Sequence, residues 1–401
     1  MSEVKTALAS STLMILAIAF ALAGPILALA PLGMTPLVIA AALTATVSER
    51  LRTRRWPRIR GYILAIILIF LAYSEISLGW DINKSAGVRK LVDITVVAVA
   101  MLALTGLASR MSNTQQRFAA QALICGAVTG LILLGIETIF DFPIFRAIMG
   151  NSDPRLEDLM ESKRSVDALP LLIWPAALAL SRLRRPLPGI ALAVIFTIAS
   201  FRLTAASATV AMVLSLGVYA LAARWLKFTR SLVAICSVLA FVAVIPVSIG
   251  AYHWGGTTTH WLKHSAHHRI EIWHFTAERA LERFVLGHGI GSSRFVPNGK
   301  EVSAFQDPGK PIIPLHPHDA FLQIWLELGL FGVMIATTLM LFPFSVIPRW
   351  PPQNQRFVLA GYVAGIIIAG LSFGIWQTWW MATLTFSVVA CRAIGPGPNN
   401  A

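Results

Sequence analysis

The chain has 401 residues, of which 56% are Ala, Val, Ile, Leu, Met, Phe, Trp, Tyr or Cys and only 13% are charged. Soluble domains run at roughly 45–50% apolar and about 25% charged. A core cannot hide that excess, so a water-soluble enzyme of one or two domains is excluded. Cys125, Cys236 and Cys391 all sit in apolar runs, with no disulfide framework and no CxxC metal or redox motif. The formal net charge of +14 would suit nucleic acid only if the basic residues had no better explanation.

In chain order, Ala7 to Ser48 carries no charge and is long enough for two crossings, with a turn near Pro31-Leu32-Gly33. The basic run Glu49–Arg60 follows, and then apolar stretches at Gly61–Trp80, Leu91–Ser109, Phe118–Phe140 and Ala168–Leu180. Ile190–Ala223 is a further pair interrupted by Arg202; Ser231–Ala251, Ala320–Ile347 and a hairpin in Phe357–Cys391 complete the set. A helix needs about 20 apolar residues to cross the hydrocarbon, so the expectation is an all-α polytopic membrane bundle of about twelve helices. The chain divides into residues 1–251 with nine helices, a large loop at 252–318, and residues 319–401 with the last three helices.

If the spans alternate, the clusters Arg50/Arg52/Arg54/Arg55/Arg58/Arg60, Arg110/Arg117, Arg182/Arg184/Arg185, Arg224/Lys227/Arg230 and Arg349/Arg356 fall on one side. The positive-inside rule makes that side, and both termini, cytoplasmic. Without an A-x-A-like cleavage site, the first span reads as an anchor. Topology therefore accounts for the positive charge, and nucleic acid is not an expected partner.

Two segments outside the spans exceed a turn: Asp141–Asp167 and Tyr252–Asp319, the latter holding all nine histidines. Long loops in compact proteins are usually functional or disordered. Within the second, Arg269–Phe284 places Ile270, Trp273, Ala277, Leu281 and Phe284 on one helical stripe, with Glu278, Arg279, Glu282 and Arg283 opposite as a solvated face. Gly287-His288-Gly289-Ile290-Gly291 then stops the helix; the run resembles an anion-binding nest, but glycine after a helix is usually only a cap. His260, His264, His267 and His268 have metal-compatible spacing but no Cys or acidic ligand to complete a zinc site, so a solvated interfacial tract is expected and no metal is assigned. Trp376, Trp379 and Trp380 read as an interfacial aromatic belt rather than a sugar platform.

Three positions fit such plain readings poorly. Arg269 opens the amphipathic helix with a five-donor fork suited to phosphate. His318 precedes a transmembrane helix, whose dipole disfavours the imidazolium and leaves a ring able to take a proton near neutral pH. Asp319, Gln323 and Glu327 form a polar stripe running into that span, and Arg202 stands alone in an apolar hairpin; intramembrane ionisable groups default to functional or packing roles.

The run His316-Pro317-His318-Asp319-Ala320-Phe321-Leu322-Gln323-Ile324-Trp325-Leu326-Glu327-Leu328-Gly329-Leu330-Phe331-Gly332 resembles the signature of the O-antigen ligase and bacterial polysaccharide polymerase superfamily. Arg269 with Trp273, then Gly287-His288-Gly289-Ile290-Gly291-Ser292, is similar to that family's Arg…Trp…GxGxGS pattern. The resemblance implies a GT-C-type membrane glycosyltransferase, metal-independent and without cofactor. It would act at the periplasmic face of the bacterial inner membrane, moving a glycan from undecaprenyl diphosphate to a hydroxyl of lipid A–core with inversion. It further implies that Arg269 binds the diphosphate and that His318 serves as base or orients the acceptor. Arg202, Arg164, His316, Asp319, Gly289 and Gly291 complete the candidate substrate-contacting set. Two departures stand out: Asp319 replaces the family's usual Asn and could stabilise an imidazolium, and alanines in Leu203–Ala208 replace a T-x-S-R arginine for which Arg202 would substitute. The same resemblance admits a polymerase that extends a lipid-linked chain; a lipid-linked glycan transporter is the reading from another class.

Overall fold

The computed structural model describes residues 11–57, 59, 61–149, 164–260, 262, 264–303 and 311–395. The expectations for Arg58, Arg60 and the sidedness of both termini fall outside the described residues. Within them the chain is helical throughout, with one isolated bridge between Val302 and Pro311. The chain runs through α1 (Ser11–Leu29), α2 (Met34–Thr53), α3 (Gly61–Ser77), α4 (Lys84–Ala108), α5 (Asn113–Ile139) and the short α6 (Pro143–Met149). After the undescribed segment come α7 (Arg164–Ala168), α8 (Pro170–Arg182), α9 (Pro186–Arg202), α10 (Ala206–Arg224) and α11 (Leu226–His253). The remainder is α12 (His264–Glu282), α13 (Ala320–Leu341), the one-turn α14 (Pro343–Val346), α15 (Pro352–Leu371) and α16 (Thr378–Ile394).

Each crossing read from the sequence corresponds to an apolar helix, the segments Ala7–Ser48, Ile190–Ala223 and Phe357–Cys391 holding two apiece. Among the described residues eight helices are long and apolar enough to cross a membrane: α1, the run ending in α2, α4, α5, α10, α11, the run beginning with α13, and α15. α3, α8 and α9 are shorter apolar helices, and α16 has 17 residues. The protein is a polytopic helical membrane bundle. Its main apolar cluster joins residues of α1, α2, α8, α10, α15 and α16, and Trp174 and Trp380 are among its fully buried side chains. α1 and α5 approach backbone to backbone through Gly24, Gly126 and Gly130, the small-residue packing that replaces hydrophobic drive inside lipid.

A second apolar cluster surrounds α12. Ile272, Ala277 and Ala280 pack with Phe241 and Ile245 of α11 and with Leu322 and Leu326 of α13. The buried stripe of α12 is therefore rotated from the one expected: Leu281 and Phe284 are half exposed, whereas Ile272, Thr276 and Ala280 have no exposure at all. The reason is that α12 has two packing partners, so its contact face is set between α11 and α13 and not by its largest apolar residues. The aromatic expectation is also corrected. Trp376, Trp379 and Trp380 are buried, and the indole Nε1 of Trp376 donates to Glu327 at 2.7 Å. A belt residue needs a lipid-facing ring, and these rings face the bundle interior.

Alternation of the helices brings the basic helix ends together on one face. Arg110 lies 3.8 Å from Glu49 and donates to the Trp56 carbonyl at 2.7 Å, and Arg182 donates to Gln116 in the first turn of α5 at 3.1 Å. The starts of α8, α10, α13 and α16 lie on the opposite face, where the contacts described next are made.

Candidate active site

The turn His316–Asp319 is built by its neighbours. Asp319 is the N-cap of α13: its Oδ1 accepts from the backbone N–H groups of Phe321 and Leu322 at 2.8 and 2.9 Å, two donors that a helix start leaves unpaired. Burial pushes its carboxyl up to about 7, against the two backbone hydrogen bonds, which pull it down. Both cap bonds are made by Oδ1, and among the described residues the hydrogen bond of the His318 ring goes to Ser372 and not to Asp319. From α12, the Trp273 indole donates to the Pro317 carbonyl at 3.1 Å. Arg269 lies one helical turn before Trp273, on the same face.

His318 has φ 59, a left-handed conformation that is costly for a non-glycine residue and concentrates at functional sites. Its Nδ1 lies 2.9 Å from the carbonyl oxygen of Ser372, in the connection between α15 and α16. A carbonyl only accepts, so Nδ1 carries the proton and Nε2 keeps its lone pair. Burial, partly offset by the Ser372 hydrogen bond and reinforced by Arg269 and His268, pushes the ring down to about 4. His318 is thus neutral at physiological pH, as the sequence suggested, with burial as the first cause. His316 is packed beside it, ring centroids 4.3 Å apart, with its Nδ1 3.1 Å from the His318 backbone N and its Nε2 2.8 Å from Gln377 Nε2. Burial pushes His316 down to about 2, reinforced by His318 and by the guanidinium groups of Arg294, Arg164 and Arg269.

Those three arginines come from separate parts of the chain. Arg164 opens α7, Arg269 stands on α12, and Arg294 follows the glycine run. Burial pulls the Arg269 guanidinium below its ordinary range while the charge of Asp167 pulls it back; an arginine so shifted stays charged. Arg294 is exposed, with its Nε donating to the Leu315 carbonyl at 3.2 Å. Sequence reasoning passed over Arg294, although it lies three residues beyond Gly291. Arg202 ends α9 and is exposed. Among the described residues no hydrogen bond or ion pair joins it to the others, and the charge that interrupts the apolar pair stands at the end of the first of its two helices. The turn after it does reach the site, since the backbone N–H of Ala208 donates to Asp167 at 3.1 Å.

The glycine run is sewn into a break in α13. Gly329 has φ 60 and ψ −160, a region open essentially to glycine alone, and it interrupts the helical hydrogen bonding of α13. The carbonyls of Leu326 and Glu327 accept from the N–H groups of His288 and Gly289, both at 2.9 Å, and that of Leu328 from the Tyr73 hydroxyl at 2.9 Å. The Glu327 carboxylate, fully buried, accepts from Gly291 N at 2.6 Å, Gln323 Nε2 at 3.0 Å, Trp376 Nε1 at 2.7 Å and the Ser293 hydroxyl. The N–H groups of Gly289 and Gly291 therefore face Glu327 rather than an open nest. Gly289, at φ 99, passes so close to Asp81 that a Cβ there would lie 2.4 Å from the Asp81 Cα. Both glycines hold the loop in place beneath the arginines. Of the histidine tract, His267 pairs its Nε2 with the Thr259 carbonyl at 2.9 Å, and His268 is buried against the bundle.

The arrangement is a neutral, oriented imidazole bordered by guanidinium groups at one end of a membrane bundle, a chemistry suited to a phosphate-bearing, membrane-borne substrate. Residues 188–337 match the O-Antigen ligase family, a stretch that holds Arg202, Arg269, Arg294, His318 and Glu327. Proteins carrying polysaccharide ligase names are similar to parts of the chain. One from Rickettsia conorii is 34% identical over 32% of this chain and 32% of its own length, and one from Rickettsia prowazekii 33% identical over 32% and 33%. One from Rickettsia bellii is 26% identical over 68% of this chain and 67% of its own. The likeness to the O-antigen ligase family thus rests on residues 188–337 and on these partial relatives. The chain aligns with about a third of the length of the first two of these relatives.

Proposed function

We propose that the protein is a lipid-linked glycan ligase: a GT-C-type, metal-independent transferase that takes a glycan from undecaprenyl diphosphate and passes it to a hydroxyl of lipid A–core at the periplasmic face of the inner membrane. The observation that carries this reading is a neutral His318, its Nδ1–H held 2.9 Å from the Ser372 carbonyl and its ring facing Arg269, packed beside a His316 that Arg164, Arg269 and Arg294 face.

Each part has a task in an inverting displacement. The acceptor oxygen forms a bond to the anomeric carbon while the bond from that carbon to the diphosphate oxygen breaks. His318 Nε2 receives, or holds in line, the hydroxyl proton. The leaving diphosphate takes the electron pair, and preorganised cations at that point stabilise the charge that develops there. Arg269, packed against the bundle, grips the diphosphate. Arg164 and Arg294 extend the cationic surface towards solvent, and Arg202 lies at the edge of the same face. Gly289 and Gly291 shape the floor, and Asp319 and His316 fix the turn that presents His318. The inner-membrane location and the cytoplasmic termini follow from the basic helix ends on the opposite face.

The test is reconstitution with an undecaprenyl-diphosphate-linked glycan, with and without lipid A–core, in EDTA throughout. Glycan appearing on lipid A–core supports the ligase. Lengthening of the lipid-linked chain without that acceptor makes the protein a polymerase, and an authentic donor that yields no covalent product moves the weight to transport.

A further inference from the structure

Behind His318 lies a buried carboxylate that the reaction as written does not use. Asp167, at the end of α7, is separated from His318 by about 150 positions, yet one residue connects them. Ser372 accepts from His318 Nδ1–H through its carbonyl at 2.9 Å, and its own hydroxyl donates to Asp167 Oδ2 at 3.0 Å. The other carboxylate oxygen, Oδ1, accepts from the Ala208 backbone N–H at 3.1 Å, which closes the α10 start onto the same point. Asp167 and Ser372 are each less than a tenth exposed, so these bonds are made away from competing water. Ser372 follows α15 directly, in a connection that no regular element holds.

We propose that Asp167 is a positioning residue for His318, acting through Ser372. The carboxylate fixes the Ser372 hydroxyl, the Ser372 backbone then presents its carbonyl to the imidazole, and the carbonyl selects the tautomer whose Nε2 lone pair faces the substrate. A carbonyl fixed in this way does for His318 what the orienting carboxylate of a catalytic triad does by direct contact, with the formal charge set one residue back. The placement has a second consequence. Asp167 faces Arg269, so the same carboxylate that orients the base also tempers the cation that holds the leaving group. The groups facing His318 from the elements around it are His316 on its own turn, Arg269 and His268 on α12, and the uncharged Ser372.

This inference rests on the transferase reading, and the test separates the two. Transfer from the lipid-linked donor is measured against pH, with kcat and KM resolved, for the wild type and for His318→Ala, Ser372→Ala, Asp167→Ala and Asp167→Asn. Loss of the orienting contact is expected to lower kcat by about 10-fold to 100-fold in Asp167→Ala, since a displacement of about 1 Å at a reacting group costs up to about 10²-fold. Ser372→Ala, which keeps the carbonyl but frees its support, should fall in the same direction and less far. Asp167→Asn can still accept from Ala208 and pair with Ser372, so it should recover most of kcat. In Asp167→Ala and Ser372→Ala the acid limb of the profile should move to lower pH, because the carbonyl favours the protonated ring; a purely structural defect lowers the whole profile without moving the limb. If His318→Ala abolishes transfer while both Asp167 variants and Ser372→Ala keep the wild-type kcat and acid limb, the positioning role is overturned and the transferase reading stands. If His318→Ala itself transfers at the wild-type rate, the transferase site assignment falls and the positioning role falls with it.

Discussion

The indole N–H of Trp273 donates to the Pro317 carbonyl at 3.1 Å, and this one contact ties the helix that carries Arg269 to the turn that carries His318. The two charged and polar groups thereby keep a fixed spacing although they come from different elements. Removing the donor while keeping an aromatic ring should loosen that spacing more than it unfolds the bundle. Trp273→Phe is expected to lower kcat by about 10-fold, within the range that small misplacements of reacting groups produce. Thermal unfolding in detergent should change little, and an unaltered kcat would show that the contact does not set the geometry.

Arg269 offers the most direct assay of the leaving-group role. Arg269→Ala should cost about 10²–10³ in transfer rate, the usual loss when a preorganised electrostatic contact is removed. Arg269→Lys should recover only part of it, because an ammonium cannot present the bidentate fork that a phosphate accepts. Arg294→Ala, at an exposed guanidinium, should act mainly on KM for the donor. Full activity in Arg269→Ala would remove that residue from the site.

The acidity of His318 fixes the sign of the pH dependence. Its ring is pushed down to about 4, below the ordinary imidazole range of about 6.5. Protonation removes the Nε2 lone pair, so activity should be lost only as pH falls through about 4 and should hold between pH 7.5 and 5.5. A free imidazole would already be largely charged at the lower end of that interval. Measuring kcat across pH 4–8 on reconstituted protein decides it: an acid limb near 6.5 would mean that another histidine, or a solvated His318, controls the step.

Much of this architecture was legible in the sequence for plain reasons. Apolar run lengths mark the apolar helices, and arginines at helix ends mark a common face. Arg269, His318 and Trp273 were legible through their motif, and their geometry follows from a helix start and a single helical turn. What could not be read was anything made by folding back. Asp167 and Ser372 are 205 positions apart and carry no local pattern. The glycine run looked like an open nest because its partner, the carbonyl ladder broken at Gly329, lies about 40 residues downstream. Arg202 reads as a lone charge within an apolar hairpin because hydropathy does not distinguish the middle of a span from its end. The tryptophan trio looked lipid-facing because composition does not show which way a ring points.

Gly329 should be among the least replaceable positions in the chain. A Cβ there would lie 2.5 Å from the Val285 carbonyl oxygen, and its φ and ψ of 60 and −160 suit glycine almost exclusively. Gly329→Ala should therefore destabilise by at least about 2 kcal/mol, backbone strain of this kind costing roughly 1–3 kcal/mol before the clash. Gly217, inside α10 with nothing within 4 Å of its built Cβ, is the control. Gly217→Ala should be neutral or stabilising by up to about 1 kcal/mol through helix propensity. The comparison is of apparent unfolding midpoints in one detergent, and equal shifts in the two variants would contradict the account of the kink.

Asp319 gives a prediction in which chemistry and charge separate. It caps α13 through one oxygen bonded to two backbone donors, and its carboxyl, pushed up to about 7, is already partly neutral at physiological pH. Nothing in that arrangement requires a negative charge, and Asn caps a helix about as well as Asp. Asp319→Asn should therefore keep both stability and transfer. Asp319→Ala leaves two buried N–H groups without an acceptor and should cost about 1–2 kcal/mol of stability, the upper part of the range for lost caps. It should lower kcat as well, because the turn that holds His318 at φ 59 would lose its anchor. Transfer rates and unfolding midpoints measured side by side on the two variants test both halves. If Asp319→Asn fell as far as Asp319→Ala, the carboxylate charge itself would be at work beside His318.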